Sequence, residues 1–210
     1  MNVHHLKFLL LLFFSFLWTP HAQHVETRKS LKPGETLNSS SRLVSPNGMF
    51  VLRCTTTFVL TNGTYLCTEH MGFGTGSSYT IWFTSSVITT ANDSNMITLV
   101  NDAGALKIRR PGAEPIKLCS SGQPTNNIVA SLLDSGNFIF QEVYSNGSTK
   151  WVIWQTFNHP RQRLLLGMKL GVNHKTGQTW SLSSWLTGDI FGVPGSFNLK
   201  LDPKGRQLII

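Results

Sequence analysis

From Ala130 to Pro160 the chain is written in a two-residue rhythm of apolar and polar positions, broken by short polar clusters. The run from Ala130 and the run from Phe138 to Gln141 read as two strands around Asp134-Ser135-Gly136-Asn137. Glycine and asparagine accept the positive φ that such a turn demands, so the segment predicts a hairpin. After a second polar cluster at Ser145-Asn146-Gly147, Trp151 and Trp154 arrive in a Val/Ile-rich run, and both are expected at the centre of a small β core. The same rhythm marks a strand, turn and strand from Arg42 to Leu52, runs at Thr57 to Leu60, Thr64 to Cys67, Tyr79 to Phe83 and Met96 to Val100, and the stretch from Leu99 to Ile108. Gln23 to Asn38 reads as a polar stretch. Few runs beyond the N-terminus hold a 3.6-residue apolar period, so almost no helix is expected.

Aligning the runs on their turn glycines, Gly48, Gly104 and Gly136, exposes a degenerate repeat. Apolar residues lie two and four positions after each glycine: Phe50 and Leu52, Leu106 and Ile108, Phe138 and Phe140. An aliphatic residue lies four before it: Val44, Val100 and Leu132. Repeated β units of this size imply pseudosymmetric sheets around a shared core. Past Pro160 further strand-and-turn texture continues through Thr179–Trp185 and Gly195–Gly205, and Leu208 to Ile210 reads as a strand just starting. We therefore expect the beginning of a second β region, truncated.

The N-terminus departs from this texture. A basic Lys7, an apolar run from Phe8 to Trp18 and small Ala22 have the layout of a secretory leader cleaved after Ala22. The run falls short of the roughly twenty apolar residues a membrane helix needs. The expected product is extracellular, in the apoplast or on the outer face of the plasma membrane. Four Asn-x-Ser/Thr acceptors, at Asn38, Asn62, Asn92 and Asn146, accord with export and glycosylation. Cys54, Cys67 and Cys119 allow three pairings in an oxidising compartment. Cys54 and Cys67 flank the Asn62-Gly63 loop and could staple a hairpin there.

Composition narrows the chemistry. The formal charge of +8, one unit of which leaves with Lys7, suits an acidic polysaccharide or anionic surface, or simple solubility of a charge-poor β domain. The basic residues are scattered and the chain is exported, which argues against nucleic acid. The seven histidines show no metal-ligand spacing, and no nucleophile elbow or cofactor motif occurs. Gly72 to Gly76 lacks the Lys-Ser/Thr and helix of a phosphate loop and reads as a turn. Kinase signatures are missing from these residues. Carboxylates such as Glu69, Asp102 and Glu142 could in principle act on glycosides, but most acids fall in turns. No enzyme activity is expected.

The segments ASLLDSGNFIF, IWQTFNHPRQRLLLGMKLGVNHKTG, SLSSW and GSFNLKLDPKG, between Ala130 and Gly205, resemble the ectodomain of plant S-locus glycoproteins and G-type lectin S-receptor-like kinases. LVSPNGMFVL fits the first strands of their bulb-type, mannose-binding lectin domain. The resemblance implies an all-β fold: a β-prism of three pseudosymmetric antiparallel sheets, followed by additional strands. It divides the chain into a leader (1–22), a lectin-like domain (23–157) and the start of an S-locus glycoprotein-like region (158–210). It also implies a sugar site on each sheet of the form Gln-x-Asp-x-Asn-x-Val-x-Tyr, whose alternate residues share one face of a strand. At Gly136 only Asn137 and Ile139 fit, as the Asn and a substitute for the Val; Leu133, Ser135 and Gln141 replace the rest. The other two hairpins offer Asn101, Ala103, Ala105, Lys107 and Arg109, and Ser45, Asn47, Met49, Val51 and Arg53. The resemblance thus points to a lectin-like module with degenerate mannose sites, its partner a mannose-type glycan. The alternative is an interaction module that binds a receptor ectodomain without sugar. A homodimer is compatible with either.

Overall fold

A computed structural model describes residues 25–57, 63–72, 78–84, 89–90, 98–102, 104–110, 112–122, 127–185, 194–202, 204 and 206–210. The leader lies outside them. In chain order the strands are β1 (Glu26–Arg28), β2 (Ser30–Leu31), β3 (Thr36–Asn38), β4 (Ser41–Val44), β5 (Phe50–Thr57), β6 (Gly63–Met71), β7 (Ser78–Phe83), β8 (Thr89–Thr90), β9 (Thr98–Asp102) and β10 (Ala105–Arg110). They continue with β11 (Ala113–Ser120), β12 (Ile128–Leu132), β13 (Phe138–Val143), β14 (Thr149–Gln155), β15 (Gly171–Val172), β16 (Thr179–Trp180), β17 (Leu182–Trp185), β18 (Pro194–Leu201) and β19 (Leu208–Ile209). The sole helical element among the described residues is a 3₁₀ turn at Thr156–Asn158. The chain is all-β, as its two-residue rhythm requires.

Three sheets share one core. The first runs β1-β4-β5-β6-β7, with β8 beside β6; the second runs β11-β10-β9-β3 and the third β14-β13-β12-β2. Alternate residues of each point inward. Phe50, Leu52 and Leu66 come from the first sheet, Leu106 and Ile108 from the second, and Ile128, Ala130, Leu132, Phe138 and Phe140 from the third. The apolar residues two and four positions after each turn glycine are therefore the core, as the repeat predicts.

The stretch read as polar is structured after all. Between Glu26 and Val44 the chain visits the first, third and second sheets in turn before returning to the first as β4. Only Leu31 and Leu37 anchor β2 and β3, and both are fully buried. Strands of two or three residues show too few alternations to register as a period. This path also makes β1 parallel to β4, the exception to antiparallel pairing among the described strands.

The aliphatic residue four before the glycine, present in all three hairpins, sits in a different register in the first two. Leu132 pairs with Phe138, but Val44 pairs with Val51 and Val100 with Lys107, so inward Phe50 and Leu106 face Ser45 and Asn101 instead. One residue of register exchanges the faces of a strand. Ser45 and Asn101 are buried polar residues at equivalent points. Ser45 Oγ accepts from Phe50 N at 3.0 Å, and Asn101 Nδ2 donates to the carbonyls of Leu31 and Ile128, both at 3.0 Å, tying the second sheet to the third.

The C-terminal strands form two small sheets, β15-β16 and β17-β18-β19. They do not stand apart. Arg161 Nε donates to Phe83 O at 3.1 Å and Gln162 Nε2 to Thr80 O at 3.0 Å. Trp185 meets the Phe83 ring edge-on at 5.2 Å, beside Tyr65 and Cys67 on the outer face of the first sheet. Trp154 packs edge-on against Trp82 and Phe138. Trp151, expected beside it in the core, is 55% exposed. It lies opposite Glu142, past the last core residue of β13, and Lys150 sits over its ring.

Candidate functional site

The hairpin at Gly136 carries the best remnant of the implied sugar motif, and its polar side chain is turned into the protein. Asn137 is 7% exposed. Its Nδ2 donates to Gln155 Oε1 at 2.7 Å, while its Oδ1 accepts from Thr156 Oγ1 at 3.1 Å and Phe157 N at 3.2 Å. Thr156 Oγ1 in turn accepts from Phe138 N at 3.0 Å. The side-chain amide is engaged at both ends in fixing the 3₁₀ turn to the hairpin. Ile139 and Gln141 are buried, and Gln141 Oε1 accepts from Thr149 Oγ1. Leu133 and Ser135 are exposed on the turn.

The other two hairpins resolve differently. In the second, Asn101 is wholly interior, Ala103 lies outside the described residues, and Asp102 is bridged by Lys107 at 3.1 Å and Arg109 at 3.6 Å. In the first, Ser45 Oγ donates to Asn47 Oδ1, and Asn47 N donates to Asp134 Oδ1 at 2.8 Å, stitching the first turn to the third. Arg53 is taken by Glu69, a carboxylate of 2% exposure. Arg53 Nη2 approaches Glu69 Oε2 at 2.8 Å, and Thr55 and Ser78 donate to its two oxygens. Nothing in the sequence spacing pairs Arg53 with Glu69; the β5–β6 register does, setting Arg53 next to Cys67, two residues from Glu69 on the same face.

That register also decides the cysteines. Cys54 pairs with Leu66 and Cys67 with Arg53, so the two thiols point to opposite faces of the first sheet and the expected Cys54–Cys67 bridge does not form. All three cysteines are free. Burial pushes the Cys54 and Cys119 thiols up to about 12, and pushes Cys67 well above its ordinary value, with Glu69 adding to the effect. Such thiols stay protonated and unreactive. Of the glycosylation acceptors, Asn38 is exposed at the end of β3 and Asn146 is exposed in a turn. The Oδ1 of Asn146 accepts from Ser148 N and Oγ. Asn62 and Asn92 lie outside the described residues.

Sequence reasoning passed over a cleft at the junction of the third sheet and the C-terminal strands. Its volume is about 290 Å³ and it is lined by Asn158, His159, Pro160, Arg161, Gln178, Thr179 and Ser181. Gln155 Nε2 donates to Asn158 Oδ1 at 3.4 Å, so a chain of amides runs from Asn137 through Gln155 to the cleft wall. The His159 ring stacks on Trp154 at 5.3 Å. Its partial burial, and then the neighbouring Arg161 charge, lower its pKa. Desolvation also lowers that of Arg161, whose guanidinium lies 5.3 Å over the Phe83 ring.

A family profile described as D-mannose binding lectin matches residues 79–186, half of the chain and both sides of this cleft. The chain belongs to that family. Among relatives of this lectin chain, a G-type lectin S-receptor-like serine/threonine-protein kinase of Arabidopsis thaliana is 37% identical over 82% of the chain and 20% of its own length. An S-locus-specific glycoprotein of Brassica oleracea is 29% identical over 97% of the chain and 45% of its own length. The lectin chain thus spans less than half the length of these relatives. The solved Japanese Marasmius oreades lectin aligns at 12% identity and a TM-score of 0.40, over 62% of this chain and 93% of that one, a likeness below what fixes a shared fold.

Proposed function

We propose that this chain is an exported, non-catalytic recognition module of the S-receptor-like kinase and S-locus glycoprotein type, with a β-prism lectin domain whose mannose sites have decayed. The reading takes residues 1–22 as the leader, 23–157 as the lectin-like domain and 158–210 as the start of the following β region. Kinship with receptor and S-locus glycoprotein ectodomains supports placement outside the cell. The observation that carries the decay is Asn137. A sugar hydroxyl needs a free donor or acceptor, and this amide gives Nδ2 to Gln155 and Oδ1 to Thr156 and Phe157. Sites that lose their hydrogen-bonding groups lose the discrimination those groups supply.

The test is titration of the purified, glycosylated chain with mannotriose and longer mannose oligomers by calorimetry. No saturable binding is expected; saturable mannose binding that Asn137→Ala abolishes would overturn the reading. A second reading, a protein-binding ectodomain, draws on Tyr144, Trp151 and Val152, large apolar side chains that are each exposed toward the β13–β14 end of the third sheet. Capture of a receptor ectodomain that a Trp151→Ala variant no longer captures would favour it.

A further inference from the structure

We propose that the cleft between Asn158–Arg161 and Gln178–Ser181 binds the carboxylate-bearing ring of an acidic sugar, a hexuronate, at a place distinct from the family's mannose positions. This rests on reading the chain as a carbohydrate-recognition module, and moves the recognition off the prism hairpins.

The first ground is the wall chemistry. Every lining residue except Pro160 carries a hydrogen-bonding side chain: two amides, two hydroxyls, an imidazole and a guanidinium. That inventory holds both the donors and the acceptors that a polyhydroxylated ring needs. The volume, about 290 Å³, sits at the small end of ligand pockets, roughly 300 Å³ upward.

The second ground is charge. No carboxylate lines the cleft, and among the described residues no ion pair involves Arg161 or His159. Arg161 is half-buried, with Nε committed to Phe83 O and the plane resting on the Phe83 ring. A guanidinium fixed in this way, with no ion-pair partner among the described residues, favours an incoming anion, because its ordering is already complete. The surplus of basic over acidic residues in the whole chain draws acidic polymers toward it.

The third ground is preorganisation. Asn158 is oriented by Gln155, and Gln155 by the buried Asn137. His159 is held flat against Trp154. The residue that the lectin motif would have turned toward mannose here acts as a positioning residue for the cleft.

The probe is trigalacturonate, titrated by calorimetry or by ¹⁵N-¹H shifts into the glycosylated chain, beside its methyl ester, mannotriose and a hexaglutamate peptide. The free acid is expected to bind saturably, the ester at least tenfold more weakly, and the other two not measurably. Thr179→Trp, at an exposed position on the cleft rim, should weaken the acid at least tenfold without loss of folding; Arg161→Gln should do the same if it folds. No saturable binding of the acid, equal binding of the ester, displacement by hexaglutamate, or full affinity in Thr179→Trp would each overturn this site. Those outcomes leave the decayed-mannose reading standing, whereas mannotriose binding at the hairpins strikes that reading instead.

Discussion

Asn137 and Gln155 meet side chain to side chain at 2.7 Å, eighteen positions apart in the chain, and this contact fastens the third hairpin to the 3₁₀ turn. Removing the amide in Asn137→Ala leaves Phe157 N and the Thr156 hydroxyl without their shared acceptor in a buried setting. Unsatisfied buried donors cost about 1–3 kcal/mol each, so the variant should lose about 3 kcal/mol, read as a lower urea midpoint at unchanged slope. A change below about 1 kcal/mol would mean that water replaces the amide, and that Asn137 is accessible after all.

The turn glycines are not equivalent, although the repeat aligns them. Gly48 and Gly136 have φ of 74° and 83°, so alanine at either pays the left-handed penalty of about 1–2 kcal/mol. At Gly48 an added Cβ meets open space, whereas at Gly136 it falls 2.7 Å from Phe50 Cε1 and 3.1 Å from Leu165 Cδ1. Phe50 is a core ring, and overpacking such a site costs about 1–3 kcal/mol more. Gly136→Ala should therefore unfold at clearly lower urea than Gly48→Ala. Equal midpoints would refute the close approach of the first and third hairpins.

These positions also show how far the sequence could be read. Phe50, Leu106 and Phe138 were legible because alternation in strands of five or more residues fixes a face. Leu31 and Leu37 were not, since a lone leucine in a two- or three-residue strand has no period. Whether Cys54 could meet Cys67, and whether Val44 or Leu43 turned inward, depended on one residue of register between strands, which no single-strand pattern contains. The family resemblance located Asn137 but not its orientation, which Gln155 and Thr156 set from the next strand and turn. The cleft was illegible for the same reason: Asn158 and Gln178 converge only through tertiary packing.

Arg53 and Glu69 form a lopsided pair. The arginine side chain is 47% exposed and the glutamate 3%. Losing the carboxylate lets Arg53 return to water, but losing the guanidinium strands a buried charge supported, among the described residues, by the Thr55 and Ser78 hydroxyls. Breaking a buried pair from the side that leaves the charge inside is the expensive direction. Arg53→Ala should cost about 3 kcal/mol and Glu69→Gln about 1 kcal/mol, because the amide keeps partners of both kinds. Thermal unfolding that ranks Glu69→Gln as the worse variant would contradict the assigned burial.

His159 gives the fold a weak acid sensitivity whose sign follows from its surroundings. Partial burial against Trp154 and the adjacent Arg161 charge depress its pKa below the ordinary 6.5. In the pH range below 6.5 and above that depressed value, the unfolded chain binds a proton that the folded chain does not. Stability at this residue is therefore complete above about 6.5, declines as the pH falls toward the folded value, and levels off beneath it. His159→Gln removes the titration while keeping a polar side chain at the cleft rim. Urea midpoints of the two proteins, followed from about pH 8 to about pH 5, should diverge only in the acidic part of that range, with the wild type falling more steeply. Parallel curves would show that the ring is as freely hydrated as in an unfolded peptide, and would remove the stacking on Trp154 from any account of the cleft.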